Sequence, residues 1–186
     1  MKNNSHNESL GKRTTRFKDN PPAEIIDTLL NSIDNFFNNE IRLTVKDNHY
    51  QTSLLFLGIH SVALTISEGF FDKKGSEGYK LFLEKFVDGK TKDTRFSEIA
   101  KTIHNWRNNI AHQWLSSSGH SIGYDYKMKK GWEKRENIIF INPKIYCEQY
   151  LRAFSSNSSI WKLQSTFTET ELEKIKASLL NKFKNN

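Results

Sequence analysis

The stretch Tyr50-Gln-Thr-Ser-Leu-Leu-Phe-Leu-Gly-Ile-His-Ser-Val-Ala-Leu-Thr-Ile-Ser-Glu-Gly-Phe-Phe71 decides the class of fold. Wound as a helix, it puts Leu54, Leu55, Leu57, Ile59, Val62, Leu64, Ile66 and Phe70 on nearly every side of the wheel, so it has to be enclosed by other helices. Its richest part, Leu54 to Ile66, is broken by Gly58, His60, Ser61 and Thr65, short of the ~20 uninterrupted apolar residues of a membrane span. It reads as the central helix of a bundle. His60, on that buried helix, is expected to hydrogen-bond inside the core rather than bind a metal, because companion ligands are not evident.

Upstream, after Pro21-Pro22, Ile26, Leu29, Leu30, Ile33, Phe36, Phe37 and Ile41 recur at three- and four-residue steps and mark the first helix. Residues 1–20 carry only Leu10 and Phe17 as sizeable apolar groups and are expected to be a disordered basic arm, leaving 21–186 as the folded domain. Downstream, Gly69 and Asp72-Lys-Lys-Gly-Ser end the central helix. Tyr79, Phe82, Leu83 and Phe86 then give a shorter amphipathic helix that stops near Gly89. A further helix is expected from about Asp93, with Ile99, Ile103, Trp106, Ile110 and Trp114 as its core stripe and Ser116-Ser117-Ser118-Gly119 as its stop.

Between 120 and 141 the apolar period changes to two. Ile122, Tyr124, Tyr126 and Met128, then Ile139 and Ile141 beyond Lys129-Lys130-Gly131, predict a β-hairpin. Asn142 followed by Pro143 signals a helix start, and Thr168-Glu-Thr-Glu171 has capping-box spacing before a last helix through Leu172, Ile175, Leu179 and Phe183. The fold class that follows is all-α, a mostly antiparallel helical bundle with a small β-hairpin insertion near residues 120–141.

The composition is compatible with that picture. The length of 186 residues suits one core plus a tail, and 28 Lys and Arg against 21 Asp and Glu give +7, which leans toward an anionic partner. The N-terminus lacks the apolar region of a secretory signal, and the single Cys147 can form neither an intrachain disulfide nor a multi-cysteine metal site. A reducing cytoplasm and no membrane partner are expected.

The polar residues of the fourth predicted helix carry the chemistry. With Ile99 at zero on the wheel, Arg107 falls near ~80°, Ala111 near ~120°, His104 near ~140°, Asn108 near ~180° and His112 near ~220°, a band beside the core stripe. Arg107 and His112 thus flank a gap whose one apolar member is an alanine, and Asn108, one turn before His112, can bond to it or to a phosphate.

The segment Trp106-Arg-Asn-Asn-Ile-Ala-His-Gln-Trp114 resembles the signature of the HEPN family, an Arg, a polar residue and, four to six positions on, a His. Arg107, Asn108 and His112 fill those places. The resemblance implies a metal-independent endoribonuclease without cofactors, acting as a homodimer whose paired motif helices line one cleft, as in HEPN toxins and defence effectors. Some HEPN toxins partnered with a nucleotidyltransferase antitoxin have a Tyr two positions after the His. Trp114 stands there, so that control is not expected, and a different antitoxin is left open. The alternative is a non-catalytic HEPN module that binds RNA or a partner protein through the same surface; a helical interaction protein with a coincidental motif is the third reading.

Two further groups stay open at this level. His104 either extends the cleft toward RNA or faces solvent. Lys127, Lys129 and Lys130, with Lys134 and Arg135 beside Tyr124, Tyr126 and Trp132, suit either an aromatic and basic RNA surface or the wet face of a hairpin.

Overall fold

Pro22 opens the first helix, α1 (Pro22–Phe36), where its fixed φ suits the first turn. The computed structural model describes residues 19–43, 52–113 and 122–184, with the side chains of residues 52, 112–113 and 182–184 outside that description. Ile25, Ile26, Leu30 and Ile33 form the buried stripe of α1. Four-residue steps drift by about 40° each around an α-helix, and a wider π-helical turn at Phe37–Ile41 takes up that drift so that Phe37 and Ile41 still point inward.

The second helix, α2 (Thr52–Phe71), buries Leu55, Phe56, Ile59, Ala63, Ile66 and Phe70. Its enclosure is incomplete, since Leu54 remains 57% exposed and Ser61 faces solvent. By length and composition Ser53–Phe71 could cross a membrane, but half of that window is buried within the fold, as in the core helix of a bundle.

The third helix, α3 (Gly75–Phe82), ends in a second π-helical turn, Leu83–Val87. The next α-helix, α4 (Ala100–Gln113), starts later than Asp93, because Lys92–Thr94 and Phe96–Ile99 are two separate 3-10 turns. The interruption has a local cause: the Asp88 carboxylate accepts the Ser97 backbone N–H at 3.1 Å and the Ser97 hydroxyl as well. Helices α2, α3 and α4 pack on one another.

The segment 122–141 corrects the expected hairpin. It forms three strands, β1 (Ile122–Tyr124), β2 (Trp132–Arg135) and β3 (Ile138–Ile141), in the order β1-β3-β2. The antiparallel hairpin is β2 with β3, turning at Glu136-Asn137 with Glu136 at φ +53°, while β1 pairs with β3 in parallel, Ile122 opposite Ile139 and Tyr124 opposite Ile141. Asp125 ends the first strand by accepting the Lys127 N–H at 3.0 Å, an Asx turn that breaks the alternation. Gly131 is not in the hairpin turn; a Cβ there would lie 2.7 Å from the Asp93 carbonyl oxygen, so only glycine fits.

The helix α5 (Pro143–Ala153) begins as expected, with the Asn142 side chain accepting from Lys144 N at 3.0 Å and Ile145 N at 3.3 Å. It supplies Tyr146, which stacks on Phe56 at 4.4 Å, and the buried Cys147. After the 3-10 turn Ser159–Thr166 comes α6 (Glu169–Lys184), whose predicted capping box is present: Thr168 N donates to Glu171 Oε2 at 2.8 Å and Glu171 N donates to Thr168 Oγ1 at 3.4 Å.

The chain is mostly helical with one small three-stranded sheet. It divides into two compact units. In one, the described residues up to Ile33 combine with those from Trp161 onward, with Ile175 and Leu179 of α6 buried and Lys176 Nζ donating to the Asn20 carbonyl at 2.8 Å. The other, Asp34–Ile160, holds everything from α2 to α5 and the whole of the candidate site.

Candidate functional site

The site is a chain of side chains between α2 and α4. Helical spacing places His104, Arg107 and Asn108 along one edge of α4, and His60 meets them from the buried side of α2, 1% exposed. The polarity of every link follows from the guanidinium, which can only donate. Arg107 Nη1 donates to Asn108 Oδ1 at 3.1 Å, so the other end of that amide, Nδ2, donates to His104 Nε2 at 3.0 Å. A neutral imidazole that accepts on Nε2 carries its hydrogen on Nδ1, and His104 therefore donates from Nδ1 to His60 Nε2 at 3.1 Å. His60 is left with its hydrogen on Nδ1, which is buried and has no hydrogen-bond partner.

Charge and burial support neutral rings. Burial pushes the His60 imidazole down to about 3, and the neighbouring His104 and Arg107 add to the cost of protonating it. His104 is also lowered, by burial and then by Arg107, with Glu68 acting the other way.

Arg107 itself is half-buried. Its Nη2 lies 3.4 Å from Ser61 Oγ on α2, a long contact, and its Nε is buried without a partner. Among the described residues no carboxylate forms an ion pair with it. One turn further along α4, Ala111 is exposed and Ile110 half-buried. The backbone of His112 belongs to α4, but its side chain lies outside the described residues, as do Trp114 and Ser116 to Gly119.

The structure thus brings together three of the residues singled out on the fourth predicted helix, Arg107, Asn108 and His104, and adds His60. The sequence placed His60 in the core with a hydrogen bond, which the structure bears out, but could not name its partner. His104 is half-buried, and both of its ring nitrogens are engaged within the protein. Asn108 is engaged with Arg107 and His104.

The basic residues Lys127, Lys129 and Lys130 are exposed on the loop between β1 and β2. Lys130 lies 3.9 Å from Glu133, and Arg135 is committed to Asp125 and Glu133 while lying over the Phe140 ring. Of the neighbouring aromatics, Tyr124 packs against Phe56 and Trp106, and Trp132 Nε1 donates to the Arg95 carbonyl at 3.1 Å, which leaves Tyr126 as the exposed ring. A separate depression lined by Lys80, Glu84, Asp88, Arg95 and Glu98 mixes both signs of charge. No cluster of three or more His, Cys, Asp or Glu that could hold a metal occurs among the described residues.

Comparison of the chain with protein families, curated proteins and solved structures finds no match.

Proposed function

We propose that this chain is a metal-independent endoribonuclease of the HEPN type, a cytoplasmic toxin or defence effector that works as a homodimer with Arg107, Asn108 and His112 at its site. The observation that carries this reading is the state of Arg107: a half-buried guanidinium that pairs with no carboxylate among the described residues, beside the bare methyl of Ala111. Among the described residues each Nη of Arg107 has one partner within the protein, which leaves a second N–H on each for an anion, while Nε is buried. A cation held at the edge of a core with no counter-charge among the described residues suits a site that is completed by phosphate.

RNA supplies its own nucleophile. Its 2′-oxygen attacks the adjacent phosphorus, the 5′-oxygen leaves, and the products are a 2′,3′-cyclic phosphate and a 5′-hydroxyl. His112 suits the proton transfers, with an unperturbed pKa near ~6.5, and Arg107 suits the charge that builds on the five-coordinate phosphate. A two-fold axis would double both groups in one cleft, so that one His112 takes a proton while the other gives one. Lys127, Lys129 and Lys130 extend the surface for the RNA backbone.

Purified protein is expected to cut RNA in EDTA and leave 2′,3′-cyclic phosphate ends. Arg107→Ala and His112→Ala should each reduce cleavage by about 10²-fold or more without unfolding the chain. Undiminished cleavage in both variants would sink the site. A second reading is a non-catalytic module that binds RNA or a partner protein; it is favoured by the internal commitment of Asn108 and His104, and RNA binding without cleavage would select it.

A further inference from the structure

We propose that His60 of α2 is a positioning residue for Arg107 of α4, acting through His104 and Asn108 along a one-way chain of hydrogen bonds. The phosphate that Arg107 would meet rests on the ribonuclease reading above; the chain of hydrogen bonds does not.

The Asn108 amide has two orientations, and only one suits its neighbours. With Oδ1 toward Arg107, it accepts from the guanidinium at 3.1 Å and presents Nδ2 to His104 at 3.0 Å. Turned over, it would set an N–H against the N–H of Arg107. The chosen orientation requires an unprotonated Nε2 on His104 and therefore a hydrogen on its Nδ1, which needs an acceptor in a half-buried place. His60 Nε2 is that acceptor, at 3.1 Å.

Without it, the hydrogen on His104 Nδ1 is a donor with no acceptor, and the tautomer that removes it puts the hydrogen on Nε2, where it opposes the Asn108 amide. The amide would then turn or withdraw, and Arg107 Nη1 would lose Asn108 Oδ1, leaving the guanidinium on the long Ser61 contact. Thus one acceptor on α2 sets the direction of a cation two residues removed in space.

The surroundings allow no easy substitute. Tyr79 of α3 lies against the His60 ring, centroids 4.2 Å apart, but its hydroxyl is engaged with Tyr146 and Tyr150 of α5. Gly75 at the start of α3 comes close beside His104, where even a Cβ would stand 3.9 Å from Nε2. Among the described residues the charged groups that act on the two rings are Arg107 of α4 and Glu68 of α2.

The primary test reads the imidazole nitrogens by long-range ¹H–¹⁵N NMR. In the native chain His60 and His104 should both be neutral with the hydrogen on Nδ1, and the Arg107 Nε–H should give a resolved, slowly exchanging signal. His60→Gln, whose Oε1 can still accept from His104, should keep that signal; His60→Leu should lose it. His104 found with its hydrogen on Nε2, or an Arg107 signal unchanged in His60→Leu, would overturn the proposal.

Should His60→Leu fail to fold, Asn108→Asp asks the same question, because a carboxylate cannot donate to Nε2. The titration of His104 should then rise by about one pH unit or more, and an unmoved titration would overturn the chain. In RNA cleavage, His60→Leu should lower kcat by about tenfold or more with KM changed less than twofold, and His60→Gln should restore it. The expected NMR pattern in a protein that cuts no RNA would uphold the positioning and sink the nuclease reading. Cleavage abolished by Arg107→Ala yet unaffected by His60→Leu would do the reverse.

Discussion

Two polar networks share the interior of the Asp34–Ile160 unit and meet where the rings of His60 and Tyr79 touch, yet their hydrogen bonds are arranged differently. Tyr79, Tyr146 and Tyr150 form a closed ring: Tyr79 bonds Tyr146, Tyr146 bonds Tyr150 at 3.3 Å, and Tyr150 returns to Tyr79 at 3.2 Å. Three hydroxyls supply three donors and three acceptors, and burial raises all three pKa values, so the ring carries no charge. The chain from His60 to Arg107 is open. It has a loose hydrogen at one end and a cation at the other. A closed network holds helices in register and does nothing else; an open one can pass a change from its buried end to its exposed end.

That contrast can be broken by acid. His60 is held near 3 in the folded chain against ~6.5 when unfolded, so the unfolded state takes up the proton first. Stability is fully present above ~6.5 and falls as the pH drops toward 3, by about 2 kcal/mol at pH 5 from this group alone. Urea unfolding at pH 7 and pH 5 should show that slope in the native chain and lose most of it in His60→Gln; an equal slope in both would show that the open network is not the titrating one.

The closed ring should respond differently. Tyr146→Phe leaves Tyr79 and Tyr150 bonded to each other, and the expected cost is about 1–2 kcal/mol with no change in the pH slope and no movement of the Arg107 Nε–H signal. A disturbed Arg107 signal would mean that the two networks are coupled through the touching rings. The smallest effect belongs to Ser61→Ala, which removes a 3.4 Å contact at the surface. Stability should change by less than about 0.5 kcal/mol and His104 should keep its hydrogen on Nδ1.

Local signals made much of this fold legible. Asn142 with Pro143, and Thr168 with Glu171, are statements about one turn of chain, and each places its hydrogen bonds as expected. The failures are of another kind. The charged run Trp132-Glu-Lys-Arg135 hides a strand because its partners, Phe140 under Arg135 and Ile141 opposite Trp132, are supplied by β3. The parallel pairing of β1 has no local signature at all. At the site, periodicity set Arg107, Asn108 and His104 side by side on one helix, but no period aligns two helices with each other. A histidine on a nearly all-apolar helix announces that it needs a partner; it does not say which.

Cys147 has a practical consequence. It is the one cysteine of the 186 residues, it is buried in α5, and burial pushes its thiol far up in pKa, so it contributes no thiolate at neutral pH. Any cysteine introduced on the surface would be the sole reactive sulfur in the molecule. A spin label attached at the exposed Ala111 would then test whether two copies of α4 come together at all, with no native residue to be removed first.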